Sequence, residues 1–288
     1  MNVGFIGLGS LGLPIADNIL TSTNQLFLYN RTALRANPLI DKGAVLMNSV
    51  RELTAACDIV FSVLSNDDAV KEVTEGPDGI AAHLREGGIH VSVSTILSAT
   101  AVQLHALHNE HRSYYVSAPV MGRPEMAKAR KLNFLVSGDT AVLEKINPLL
   151  IHAGAARVSP FGEQAGAANV AKLCSNFLIA SAIESMAEGI ALANKSGIDA
   201  GEWLNMLTST LFSAPVYENY GALLLNARFQ PAAFSMNLGL KDLKLVKEQA
   251  ASVNTTMPVG NTVAHQLQTA VNQGMGEYDW TAVALMLK

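Results

Sequence analysis

Asn169, Lys172 and Asn176 stand at i, i+3 and i+7 in a proline-free stretch that runs from Phe161 to Gly197. On a helix they share one face. The surrounding residues are apolar on nearly every side, the mark of a helix buried along most of its surface. A lysine in that setting either threads its amine out to water or faces a cleft that has a use for a proton donor. The residues alone leave both open.

A second group opens the chain. Val3 to Ile6 is a short β-branched and aromatic run, followed at once by Gly7-Leu8-Gly9-Ser10-Leu11-Gly12 and the helical Leu13-Pro14-Ile15-Ala16. Strand, G-x-G-x-x-G and helix in that order form a dinucleotide-binding pattern. Its glycines allow a tight turn and close backbone approach, so a pyrophosphate can sit on the amides of the helix N-terminus. All six residues of the loop are therefore expected at a cofactor. After a second strand, Gln25 to Tyr29, the chain reads Asn30-Arg31-Thr32. No carboxylate stands where one would bind a ribose 2'-hydroxyl, and a guanidinium flanked by two hydrogen-bonding side chains suits a 2'-phosphate. NADP is expected over NAD, with NAD still possible; the alternative is a solvated arginine at a helix start.

The elements that must position these groups follow from pattern. Strands at Ala44 to Met47, Ile59 to Leu64, Ile89 to Val93, Tyr114 to Val116, Phe134 to Val136 and Arg157 to Val158 alternate with helices such as Val50 to Ala56 and Ala99 to His111. That alternation predicts a doubly wound, mostly parallel α/β sheet. Ligands in such folds collect at the carboxyl ends of strands. Three ends qualify: Leu64-Ser65-Asn66, Ser94-Thr95-Ile96 and Pro119-Val120-Met121-Gly122-Arg123. Leu64 and Ser65 are expected at the cofactor, and Ser94, Met121, Gly122 and Arg123 at the substrate. Helix capping by the serines and asparagine, and a simple turn at Pro119, are the bland alternatives.

Beyond Val158 no β-branched run recurs, and the pattern turns helical: Asp199 to Glu202 as a capping box, then Pro215 to Leu225, Met236 to Ser252, Pro258 to Asn272 and Trp280 to Leu287. A Rossmann domain over residues 1–160 and an all-helical domain over 161–288 result. The long helix opens the second domain, which aims Lys172 and Asn176 at the strand ends, and interdomain clefts are preferred ligand sites. Within the helical half Lys241 stands beside Asp242. Either a solvated pair or a site role fits.

Apolar residues make up 49% of the 288 residues and charged residues 15%. So low a charge content implies extra buried surface, and homo-oligomerisation, as a dimer or tetramer, is the simplest way to bury it. The net charge of -4 and the absence of a basic run exclude a nucleic-acid or anionic-membrane partner. Cys57 and Cys174 read as buried core thiols. His105, His108 and His111 repeat every third residue without a companion acid or cysteine, which reads as a polar helix face, and no metal is expected. With no targeting signal and no apolar stretch of spanning length, a soluble cytoplasmic protein is expected.

Gly7 to Gly12, Ser94-Thr95-Ile96, Ala118-Pro119-Val120, the run from Gly166 through Lys172 to Asn176, and Lys241-Asp242-Leu243 together resemble the β-hydroxyacid dehydrogenase family over essentially the whole chain. That group includes 3-hydroxyisobutyrate dehydrogenases and glyoxylate or succinic semialdehyde reductases. The resemblance implies that Lys172 is the catalytic acid/base, that Asn176 orients the substrate, that Thr95 contacts the cofactor, and that Lys241 helps close its nicotinamide end. It implies an NADP-preferring reductase of a small carbonyl acid, a 2-oxo acid or semialdehyde acid, interconverted with its hydroxy acid.

The chain departs from the family at Ser117-Ala118-Pro119-Val120-Met121-Gly122-Arg123, where Asp-Ala-Pro-Val-Ser-Gly-Gly is usual, and at Ser98, where a proline is usual. Met121 replaces a hydroxyl donor with a thioether that donates nothing. Arg123 either clamps a carboxylate or points to solvent. Two other readings accommodate these changes: an NADPH-binding sensor or scaffold without turnover, and imine reduction on the same fold.

Overall fold

The structure is a computed structural model that describes residues 1–22 and 25–287. The first half alternates as its pattern requires. β1 (Asn2–Ile6) leads to α1 (Gly12–Leu20), β2 (Gln25–Tyr29), the short α2 (Asn37–Ile40), β3 (Val45–Leu46), α3 (Val50–Ala55) and β4 (Ile59–Ser62). Next come α4 (Asp67–Thr74), α5 (Ile80–His83), β5 (Ile89–Ser92), α6 (Ser98–Glu110) and β6 (Tyr114–Ser117). These six strands form one parallel sheet in the order β3-β2-β1-β4-β5-β6. It is a doubly wound sheet whose strand order reverses between β1 and β4, the switch point where ligands bind. Val3, Phe5, Leu26, Leu28, Phe61 and Val91 bury one face in a continuous core, and Ile6, Leu53, Val60 and Ile80 pack the other in a separate cluster.

The remaining strands do not extend that sheet. β7 (Val120–Met121), α7 (Pro124–Lys128), β8 (Leu132–Val136), α8 (Thr140–His152) and β9 (Ala155–Pro160) follow. β7, β8 and β9 make a separate three-stranded sheet with β7 antiparallel to β8. Val120 and Met121, expected in a strand-end loop, are themselves a short strand. Two residues carry too little periodicity to announce it.

Polar residues thread the buried end of the main sheet. Ser62, Ser92 and Ser117 are in register across β4, β5 and β6, and Ser117 bridges on to Ser137. Ser62 Oγ lies 2.8 Å from His90 Nε2, His90 Nδ1 lies 3.1 Å from His108 Nε2, and His108 Nδ1 lies 2.7 Å from Ser113 Oγ. Burial pushes both imidazoles down, His90 well below its ordinary value and His108 to about 3, with neighbouring histidines adding to the effect. Tyr115 packs edge-on against His90, and burial lifts its hydroxyl to about 12. His108 was expected on a polar surface with His105 and His111, but it is fully buried. A repeat of three drifts around a helix of 3.6 residues per turn, so the three histidines do not share one environment.

The chain divides into compact units Met1–Lys172 and Leu173–Lys288, and α9 (Ala167–Lys195) runs through the division. Its 29 residues span ~43 Å at the helical rise. By length and composition α9 could cross a membrane, as can the core helix of a water-soluble protein. Leu173, Ala180, Ile183, Met186 and Ala187 are buried along it. It is less buried than its composition suggests, because Cys174, Leu178 and Leu192 are exposed. Cys174 is thus no core thiol; Cys57 is, and burial lifts it to about 12, with Asp58 adding to the shift.

In the second unit α9 is followed by α10 (Ala200–Thr208), α11 (Pro215–Leu225), α12 (Met236–Ser252) and α13 (Pro258–Ala270), then a 3-10 segment at Trp280–Met286 where an α-helix was expected. Met186, Ala187, Leu204 and Leu224 form its core. Gly189 admits Trp203 so closely that a Cβ there would lie 2.5 Å from the indole. Asp199 caps α10 by accepting from the Gly201 and Glu202 amides, as the capping pattern predicts. Glu184 on α9 is buried, which raises its carboxyl to about 7, with Glu188 adding to the shift.

Candidate active site

Each of the three glycines in the first turn answers a different constraint. Gly7 has φ +98°, and a Cβ would meet the Val63 carbonyl at 2.2 Å; at Gly12 it would meet the Gly7 carbonyl at 2.0 Å. Gly9 has open space within 4 Å of its missing Cβ. Chain packing dictates the first two, and the third keeps clear the face that a ligand approaches. Leu11, the N-cap of α1, supplies no side-chain cap, and although the Leu13 amide donates to the Gly9 carbonyl at 3.0 Å, no side chain competes with an anion at this helix start. The loop fits a pyrophosphate.

Asn30 also braces the turn. Its Oδ1 accepts from the Leu8 amide at 2.8 Å and its Nδ2 donates to the Thr32 carbonyl at 2.8 Å, so it ties the glycine turn to the end of β2. Leu8 likewise has its side chain in the core, 2% exposed, and its amide on Asn30. The loop residues left facing outward are Gly9 and Ser10.

A cavity of about 820 Å³ opens beside this turn, lined by Gly7, Gly9, Asn30, Arg31, Thr32, Leu64 and Ser65 among others. Arg35 and Arg51 line it too, and neither was singled out from sequence. Arg35 follows Arg31 by four residues through a 3-10 turn at Ala33–Ala36, a spacing that could have flagged it. Arg51 reaches Asp78 at 3.4 Å, a solvent-exposed pair. Among the ion pairs of the described residues Arg31 and Arg35 take no part, which leaves two positive charges for an anionic ligand.

The ends of β4 and β5 are knitted together. Ser94 Oγ accepts from the Leu64 amide at 2.8 Å, and Ser94 is 2% exposed. Its hydroxyl keeps its own proton and a second lone pair for a ligand. Asn66 caps α4 through the Ala69 amide, the bland alternative, and Asp67 accepts from the Leu97 amide. Thr95 is half-buried beside Ser94. Asn169 is buried and directs Nδ2 at the Ser94 carbonyl, 3.5 Å away. Gly166, with φ +87°, lies so close to Ser98 that a Cβ would sit 2.6 Å from its hydroxyl oxygen, which sets the start of α9 against this region.

Lys172, half-buried, donates from Nζ to Met121 Sδ at 3.4 Å. Gly122 follows with φ +142°, and Arg123, half-buried, precedes the first turn of α7. The first unit therefore brings Met121 to Lys172.

In the second unit Asn176, 3% exposed, gives Nδ2–H to Asp242 Oδ2 at 2.5 Å. Asp242 is 2% exposed, and Lys241 Nζ lies 2.7 Å from its Oδ1 as an ion pair, without the alignment of a hydrogen bond. Asp242 was passed over in the sequence because an adjacent Lys-Asp pair usually reads as solvated charge.

An uncapped helix behind a glycine turn at a sheet's switch point, an arginine-lined cavity at the same strand ends, and a lysine on a long helix define a nicotinamide-dinucleotide oxidoreductase. Two family profiles cover the chain. Residues 2–163 match the NAD-binding domain of 6-phosphogluconate dehydrogenase, and residues 166–287 match the NAD-binding domain of NADP-dependent 3-hydroxyisobutyrate dehydrogenase. The oxidoreductase YfjR of Bacillus subtilis is 35% identical over the whole of both chains. Glyoxylate/succinic semialdehyde reductase 2 of Arabidopsis thaliana is 29% identical over all of this chain and 80% of its own. The solved structure of Psf3 with NADP+ and 2-OPP superposes with a TM-score of 0.89 at 27% identity, covering 99% of this chain and 100% of that one. The chain belongs to the β-hydroxyacid dehydrogenase family and is an NAD(P)-dependent enzyme of that group.

Proposed function

We propose that the chain is an NADPH-preferring reductase of a small 2-oxo acid or semialdehyde acid, running reversibly as a hydroxyacid dehydrogenase, with Lys172 as its proton donor and acceptor. A bound nicotinamide supplies or takes the hydride. The chain's own part is to bind, orient and protonate. Arg31 and Arg35 provide the positive charge that a 2'-phosphate requires, and the glycine turn holds the pyrophosphate on the α1 amides.

Lys172, on a rigid helix, gives a proton to the carbonyl oxygen as negative charge gathers there, and takes one from the hydroxyl in the reverse direction. The observation that carries this reading is the half-buried Lys172 amine, in one compact unit with the dinucleotide turn and brought against Met121 of the substrate loop. Asn176, one turn along α9, orients the substrate, Thr95 and Lys241 attend the cofactor, and Arg123 receives the substrate carboxylate. The exposed Leu178 and Leu192 support assembly of like chains as a dimer or tetramer in the cytoplasm.

The test is turnover of glyoxylate and succinic semialdehyde with NADPH and NADH side by side, in the parent and in Lys172→Ala. The variant is expected to keep its NADPH affinity and lose roughly 10²- to 10⁴-fold in kcat. Parent-like turnover by Lys172→Ala ends the acid/base assignment.

A further inference from the structure

Asn176 and Asp242 meet inside the second unit, and their meeting settles a question of direction. A carboxylate only accepts, so the atom of the Asn176 amide that faces Asp242 Oδ2 is the nitrogen. The amide oxygen is therefore turned the other way. With Asn176 3% and Asp242 2% exposed, both groups are withdrawn from bulk solvent. A half-turn would set two oxygens face to face, an acceptor against an acceptor in a site of low dielectric. Lys241, 2.7 Å from Asp242 Oδ1, balances the charge that makes this carboxylate a fixed acceptor.

We propose that Asp242 is a positioning residue which locks Asn176 with Oδ1 presented as an acceptor, so that the substrate group meeting that oxygen must be a donor. This rests on the reductase reading above and deepens it. Of the two forms of a hydroxy acid/oxo acid pair, the hydroxy acid carries the matching donor in its hydroxyl, and the oxo acid has only a carbonyl there. Asn176 Oδ1 thus holds the hydroxyl form directly, and meets the carbonyl form only as the substrate oxygen acquires a proton. Lys241 is tied to the same carboxylate, so cofactor and substrate contacts of the second unit share one anchor.

Two arms test it. In protein labelled with ¹⁵N-asparagine, the side-chain amide of Asn176, assigned by its disappearance in Asn176→Ala, is expected to exchange with solvent at least tenfold more slowly than exposed asparagine amides. An Asn176 amide exchanging as fast as the exposed ones overturns the proposal whatever the activity, and this arm stands even if the parent reduces none of the acids offered, which would count against the reductase reading alone. The second arm is kinetic, with glyoxylate and succinic semialdehyde as probes. Asp242→Asn keeps the shape but permits either amide orientation, and Asp242→Ala removes the acceptor. Expected kcat values fall about fivefold in Asp242→Asn and fiftyfold or more in Asp242→Ala, with melting temperature recorded for each. Should Asp242→Ala fail to fold, Asp242→Asn decides alone. Parent-like kcat in a folded Asp242→Asn overturns the proposal, because a merely structural carboxylate alters stability and leaves turnover per folded site unchanged.

Discussion

Acid should loosen the first unit from its centre. His90 and His108 are fully buried and held neutral, with folded-state pKa values below the ordinary 6.5, His108 at about 3. An unfolded chain binds a proton at each histidine below pH 6.5, and the folded chain does not. Their contribution is therefore fully present above that pH and is lost as pH falls, for His108 down to about 3. At pH 5.5, one unit below the unfolded value, each histidine costs on the order of 1 kcal/mol, so the pair costs roughly 3 kcal/mol. Against a total stability of roughly 5–15 kcal/mol that is a large share.

Glu184 in the second unit has the opposite sign. Its folded pKa of about 7 lies above the ordinary 4.5, so its contribution is present at low pH and is lost as pH rises through 7. A global melting curve mixes the two effects, and the assay must be local. Hydrogen exchange of the β5 and β6 amides, corrected for intrinsic rates, should show about a hundredfold loss of protection between pH 7.5 and 5.5. In His90→Gln/His108→Gln that loss should shrink to less than half on the logarithmic scale. Unchanged protection of β5 and β6 at pH 5.5 refutes the argument.

Two further predictions concern the cofactor. Gly9→Ala has open space for its methyl, so the variant should melt within a few degrees of the parent yet bind NADPH at least tenfold more weakly by fluorescence titration. Gly12→Ala drives a methyl into the Gly7 carbonyl and should cost over ~2 kcal/mol in urea unfolding. Arg31→Ala and Arg35→Ala should each weaken NADPH by roughly 10- to 100-fold, from a charged hydrogen bond of about 1.5–3 kcal/mol, and leave NADH nearly unchanged in calorimetry. Equal losses for both cofactors would remove the 2'-phosphate from the account.

The sheet was legible because its strands are long enough to show period and the glycine turn has obligatory flanks; right-handed crossovers narrow the topology, and the order β3-β2-β1-β4-β5-β6 comes from the fold itself. Helices α11 and α12 span the residues expected of them. What sequence could not show was partnership. Asn30 was read only as a neighbour of Arg31, and the fold shows its amide also tying Leu8 to Thr32. Arg51 reaches the cavity from α3, twenty positions beyond Arg31. Asp242 gains its meaning from Asn176, which lies 66 residues earlier. Such contacts depend on tertiary placement, and no local spacing encodes them.

The serines in register across β4, β5 and β6 act as a key for strand alignment. Apolar side chains are nearly interchangeable, so a strand slipping past its neighbour by two residues would keep its greasy face inward and lose little. With Ser62 bound to His90 and the imidazoles chained to Ser113, the same slip strands hydroxyls and ring nitrogens among hydrocarbon. Sensitivity to acid is then the counterpart of a sheet that can assemble in one alignment only, and that alignment sets the level at which Ser94 and Thr95 emerge beside the cofactor turn.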